Sequence, residues 1–218
     1  MTYLELSNIN YIIDNRPILK DIDLSIEQGD YIAIVGRSGS GKSSLLKLIG
    51  DLISPSSGSR AFKGLDYESY RPTDLRRSIA YCFQSPYLFG ETILDNLSFP
   101  YKIRRQEADL GRIRYLMELF QLDGLDLDRS KAGLSGGELQ RLALIRSLIF
   151  RPEVLLLDEV TSALDEETTS LVNSIIGNLK QEGTTIVAVS HKPSEIMGQI
   201  NKLLELESGQ IIRREVLV

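Results

Sequence analysis

The stretch "GRSGSGKS", residues 36–43, limits what this chain can fold into more than any other. It follows a short apolar run, "YIAIV", and opens an apolar-periodic one, "SSLLKLIGDL". The pattern G-x-x-x-x-G-K-[ST] between a strand and a helix is a phosphate loop. Its glycines let the backbone curl so that several N–H groups face one anion, and the helix N-terminus adds partial positive charge. Gly36, Arg37, Ser38, Gly39, Ser40, Gly41, Lys42, Ser43 and Ser44 are the candidate phosphate-binding residues. Lys42 is placed to reach the β- and γ-phosphates, and the Ser43 hydroxyl to hold Mg²⁺.

Around this loop the chain alternates between strand and helix patterns. "YLEL", "INYII", "DIDLSI" and "YIAIV" read as short strands. The helix after the loop is expected to bury Leu45, Leu48, Ile49 and Leu52 on one face and to stop at "SPSSG". "SIAYCFQ" (78–84), "EVLLLDE" (153–159) and "TTIVAVSH" (184–191) read as strands, and "EETTSLVNSIIGNLKQEG" as an amphipathic helix. A C-terminal hairpin turns at Ser208-Gly209. Residues 86–150 are mostly helical and read as a separate lobe inserted into a core of residues 1–85 and 151–218. The expected class is α/β, a parallel sheet wrapped by helices with an antiparallel N-terminal flank.

Several polar residues fall where such a sheet gathers ligands, at the carboxyl ends of its strands. Asp158 and Glu159 end an apolar strand that we place beside the one feeding the phosphate loop. Asp158 then reaches the Mg²⁺ shell, and Glu159 can poise a water for attack on the γ-phosphate. His191 follows the next strand and can touch the γ-phosphate or hold that water. Gln84 precedes the helical lobe, where a long amide can contact Mg²⁺ or water. Tyr11, in the flank, offers an aromatic face for stacking on adenine. In "LSGGE" (134–138) Ser135 reads as a helix cap with Glu138 as its capping-box partner. Ser135, Gly136 and Gly137 there make a second anion-ready helix N-terminus with no lysine beside it.

Composition removes whole classes of function. The chain has 218 residues, 42% hydrophobic and 25% charged, the mix of a globular domain. Its net charge of −5 argues against a broad nucleic-acid surface. The single Cys82 allows no internal disulfide and suits a reducing compartment. The N-terminus has no signal-peptide pattern, and no apolar run approaches the ~20 residues that cross a bilayer.

Taken together, Tyr11, the phosphate loop, Gln84, "LSGGE", "VLLLDE", "SALD" (162–165) and His191 resemble, in order, the motifs of the nucleotide-binding subunit of ATP-binding cassette (ABC) transporters. The likeness spans nearly the whole chain and implies a P-loop NTPase (RecA-like) core. Within the family it resembles the ATP-binding subunit of Fet-type iron exporters, through residues 85–100, 134–150 and 154–166. The resemblance implies Mg²⁺-dependent ATP hydrolysis. Two subunits would face each other head to tail, each ATP held by one chain's phosphate loop and by Ser135, Gly136, Gly137 and Glu138 of the other. Glu159 would be the general base, His191 the γ-phosphate switch and Asp165 a contact across the dimer. It further implies a polytopic membrane permease as partner and a cytoplasmic place on the inner face of the membrane. The family most often has Gln where this chain has Glu138. Two rival readings share these motifs. A soluble ATPase of this kind acting on DNA or ribosomes usually has coiled-coil insertions or two cassettes. A module that binds nucleotide without turnover would need Glu159 or His191 missing.

Overall fold

The computed structural model describes residues 2–190 and 193–217. The chain starts with strands β1 (Thr2–Ile13), β2 (Arg16–Glu27) and β3 (Tyr31–Val35), then helix α1 (Lys42–Ile49). It continues through β4 (Ser57–Phe62), β5 (Leu65–Asp66), α2 (Pro72–Ser78) and β6 (Ile79–Cys82). Helices α3 (Ile93–Lys102), α4 (Leu110–Leu119) and α5 (Gly136–Leu148) follow. The last elements are β7 (Val154–Asp158), α6 (Glu166–Gln181), β8 (Thr185–Val189), β9 (Lys202–Glu207) and β10 (Gln210–Val216).

Two sheets form. An antiparallel flank runs β2-β1-β4-β5, and a six-stranded sheet runs β10-β9-β3-β8-β7-β6. In the second sheet every neighbouring pair is parallel except β9 with β10. Period-two alternation sends its side chains to opposite faces. Ile32, Ile34, Val154, Leu156, Val187 and Val189 pack with α1 and the flank. Ala33, Leu155, Leu157, Ile186 and Ala188 pack with residues of α3 to α6.

The acidic strand β7 is not beside β3, contrary to the expectation; β8 lies between them. Strands joined through one helix tend to be neighbours, and the β7–α6–β8 unit brings its second strand directly alongside its first. The five parallel strands still share one carboxyl edge, and α1 crosses over to β7, where a side chain on Gly50 would touch Leu156. Helix α1 ends at Ile49, so Leu45, Leu48 and Ile49 are buried while Leu52 is 36% exposed. "YLEL" and "INYII" are one strand with a bulge around Asn8, whose φ is +50°. "SIAYCFQ" is a strand only over β6, which leaves Gln84 in the loop beyond it. The hairpin turn at Ser208-Gly209 has positive φ at both residues, as tight hairpins require.

The C-terminal carbonyls of α1 are held by the flank. Arg60 of β4, 4% exposed, donates to the Leu48 carbonyl at 2.7 Å and pairs with Asp51 at 3.1 Å. The Tyr67 hydroxyl donates to the Ile49 carbonyl at 2.8 Å, and its ring lies under the Arg60 guanidinium. Removing one partner of a buried ion pair strands the other. Arg60→Ala should therefore lower unfolding free energy by roughly 3 kcal/mol, read from urea denaturation.

Candidate active site at the sheet edge

Between β3 and α1 the phosphate loop turns tightly. Gly36 has φ +147°, and a β-carbon there would sit 2.1 Å from the Leu206 carbonyl oxygen. Gly41, at φ +103°, would strike Leu19. Both positions therefore exclude any side chain. Lys42 is 5% exposed, and its ammonium donates to the carbonyls of Gly36 at 2.9 Å and Arg37 at 3.0 Å. The charge is thus held across the turn it follows. Arg37, Ser38 and Gly39 are exposed, Ser40 is buried, and Ser43 and Ser44 are half-buried in the first turn of α1.

Asp158 has the same strand parity as Val154 and Leu156, so its side chain points toward α1. Its carboxylate accepts from the Ser43 hydroxyl at 2.9 Å on one oxygen and from the Tyr81 hydroxyl at 2.6 Å on the other. Asp158 is 5% exposed. Burial, then the bond to Asp158, raises the Tyr81 phenol well above its ordinary range and keeps it a donor. A serine hydroxyl and a carboxylate are oxygen donors that fit Mg²⁺, which takes one or two protein ligands and completes its shell with phosphate and water. Glu159 leaves the strand with φ +50°, and its carboxylate accepts from the Gln84 amide nitrogen at 2.7 Å. Ser43, Asp158, Glu159 and Gln84 thus meet at one edge.

The signature stretch also takes the expected local form. Ser135 caps α5: its hydroxyl accepts from the Glu138 N–H at 3.3 Å, and the Glu138 carboxylate accepts from the Ser135 N–H at 2.7 Å. That bond from the Ser135 backbone, foremost, draws the Glu138 carboxyl below the usual carboxylate range. Asp165 caps α6, accepting from the Thr168 N–H and hydroxyl at 2.8 and 2.9 Å, and the backbone bond lowers its carboxyl. Tyr11 is half-buried on β1 opposite Leu19, the residue packed against Gly41. His191 lies outside the described residues.

With this geometry, the family description ABC transporter matches residues 19–162. The chain belongs to the ABC transporter family. Its fold is the P-loop NTPase fold of ABC cassettes, and it is an ATPase of that family. One relative is "Probable iron export ATP-binding protein FetA" of Escherichia coli strain K12. It is 42% identical, over 94% of this chain and 91% of that protein. "Energy-coupling factor transporter ATP-binding protein EcfA1" of Enterococcus faecalis is 34% identical over 95% and 77%. Among solved structures, the ATP-binding cassette MJ0796, dimeric and bound to ADP and Pi after hydrolysis, superposes with a TM-score of 0.89. It is 26% identical and each chain is 99% covered.

Tyr81 is the residue that sequence reasoning missed. Its signal was available: a tyrosine at the end of a largely apolar strand needs a partner for its hydroxyl.

The capping box yields the prediction for this site. Glutamine can bond back to the cap residue as glutamate does, so Glu138→Gln should leave ATPase activity within about threefold. Ser135→Ala should cost about 1 kcal/mol of stability. Because the folded Glu138 carboxyl is depressed, its stabilisation is complete above the ordinary glutamate range of about 4.3 and fades as pH falls through the folded value. Glu138→Gln should remove that acid-side loss, measured by thermal melts between about pH 3 and 6.

Proposed function

We propose that this chain is the Mg²⁺-dependent, ATP-hydrolysing subunit that drives a membrane transporter, working as a head-to-tail pair of identical cassettes. One observation carries the reading: a single chain holds a phosphate loop with its acid pair and also a second, lysine-free helix N-terminus at Ser135. One chain does not need two anion sites for one nucleotide. A second copy supplies the missing half, with its Lys42 opposite the signature loop of the first. The dimeric MJ0796 cassette supports this arrangement.

In the assembled site the loop N–H groups and Lys42 bind the phosphates, and Tyr11 stacks on the adenine. Ser43 and Asp158, with the Gln84 amide oxygen, would hold the cation, which would supply neutralisation of phosphate charge. Glu159, steadied by the Gln84 amide, takes a proton from the attacking water. The water oxygen bonds to γ-phosphorus as its bond to the bridging oxygen breaks; the electron pair leaves on ADP, the new oxygen stays in phosphate, and Glu159 gives its proton up to solvent. His191 contacts the γ-phosphate, and Asp165 meets the partner cassette. Residues 86–150 act as the lobe inserted into the single ATPase unit, and they pass the motion to a polytopic permease. Exposed Phe83 and Tyr87 beside Gln84, with the Phe89–Phe99 ring pair, supply an aromatic surface for that partner. Among the described residues no helix is long and apolar enough to cross a membrane. The chain is then peripheral on the inner face, held by the permease, with no role for nucleic acid. The similarity to FetA supports metal export, with iron as cargo.

Glu159→Gln tests the mechanism. It should cut turnover by at least about 100-fold and accumulate an ATP-bound dimer on gel filtration. A variant that stays monomeric with ATP, or that still turns over, would overturn it.

A further inference from the structure

Tyr81 sits between three elements. It lies on β6 in parallel register with Leu156 of β7. Its ring rests against Gly50 at the end of α1, where an added β-carbon would come within 3.3 Å of the ring. The lack of a side chain at Gly50 leaves the ring a few tenths of an ångström more room than a methyl group would. The ring also meets Phe83 at a centroid distance of 4.6 Å. The main chain at Phe83 is tied in turn to the signature helix: buried Gln140 of α5 donates to the Phe83 carbonyl at 3.4 Å.

From this position the hydroxyl reaches the one Asp158 oxygen that Ser43 does not use. A carboxylate on a single-bond stem can rotate, and a donor on its outer oxygen stops that rotation. The same division of labour recurs around protein metal sites, where an outer partner orients the ligand and tunes its basicity.

We propose that Tyr81 is a positioning residue for the nucleotide's divalent cation: it fixes the Asp158 carboxylate so that the other oxygen faces the Ser43 hydroxyl and the metal. The inference rests on the reading of Ser43 and Asp158 as the cation's protein ligands. Because Tyr81 also packs on Phe83, the carboxylate's orientation is linked to the loop that joins the sheet to the helices.

The test measures how strongly metal and nucleotide binding are coupled in the full chain. The readout is the ratio of the Kd for a fluorescent ATP analogue in EDTA to its Kd with saturating Mn²⁺. Tyr81→Phe keeps the ring and removes only the hydroxyl, and its melting temperature should stay close to that of the parent chain. The ratio should fall roughly tenfold in Tyr81→Phe, the usual loss for an outer-shell partner, while the Kd in EDTA stays within about twofold. An unchanged ratio in Tyr81→Phe, with Asp158→Asn losing the coupling, would overturn the role of Tyr81 and leave the cation reading standing. An equal loss of binding in EDTA would make Tyr81 a structural residue and also overturn it. Unchanged coupling in Asp158→Asn would overturn the cation reading itself, and this inference with it.

Discussion

The phosphate loop keeps its shape because the C-terminal hairpin lies directly against it. The Gly209 N–H donates to the Ser40 carbonyl at 3.1 Å, and the Gly209 carbonyl accepts from the Lys20 N–H at 2.9 Å. Leu206 closes the same junction, its carbonyl set where any side chain on residue 36 would go. A phosphate loop turns its N–H groups toward an anion and so keeps few bonds of its own to hold it. Here the first hairpin of the chain, through Ile18, Leu19 and Lys20, and the last, through Leu206 and Gly209, grip it from below. The anion site is therefore preorganised by segments almost 190 residues apart, roughly the span of the whole domain in sequence.

Helix α1 continues that logic. Its N-terminal turn carries Lys42 and Ser43, so any drift of the helix moves both. At its far end Arg60 and Tyr67 satisfy the carbonyls of Leu48 and Ile49, and the Arg60 charge is neutralised by Asp51. Between the ends, Leu45, Leu46, Leu48 and Ile49 are fully buried between the sheet and the flank. A helix of eight residues has little stability alone, and tertiary contacts on both sides supply what its length does not. A comparable network anchors the opposite end of the sheet, where buried Asp30 accepts from Asn201 at 2.9 Å and Lys202 at 2.7 Å.

What could be read in the sequence was what is encoded locally. The phosphate loop, the acid pair after "VLLL" and the capping box each depend on residues within eight positions of one another, and each has the local form expected. The neighbour order of β3, β8 and β7 was not local, since the apolar patterns of the three strands are alike and any could have stood in the middle. In residues 57–78, β4, α2 and the segment between them add Phe62, Tyr67 and Leu75 to the core shared by the flank and α1, contacts that are distant in sequence. Tyr81 was missed for a related reason. Its partner Asp158 is 77 positions away, and only the sheet register makes them neighbours.

Glu138 shows how a local structure can absorb an apparent conflict. In the proposed paired site, a carboxylate beside a nucleotide's phosphates should repel them. Here it already accepts from the Ser135 N–H, and Arg129 and Arg141 lower its carboxyl further through their charges. The Ser135 hydroxyl takes the Glu138 N–H in return. The first-turn N–H groups of Gly136 and Gly137 have no acceptor within the helix, and the absence of side chains there leaves their approach open. The carboxylate is thus engaged by the Ser135 N–H, while the first-turn N–H groups of Gly136 and Gly137 stay available as donors. A helix start built this way can cap itself and still receive an anion, which is what the proposed half-site requires of it.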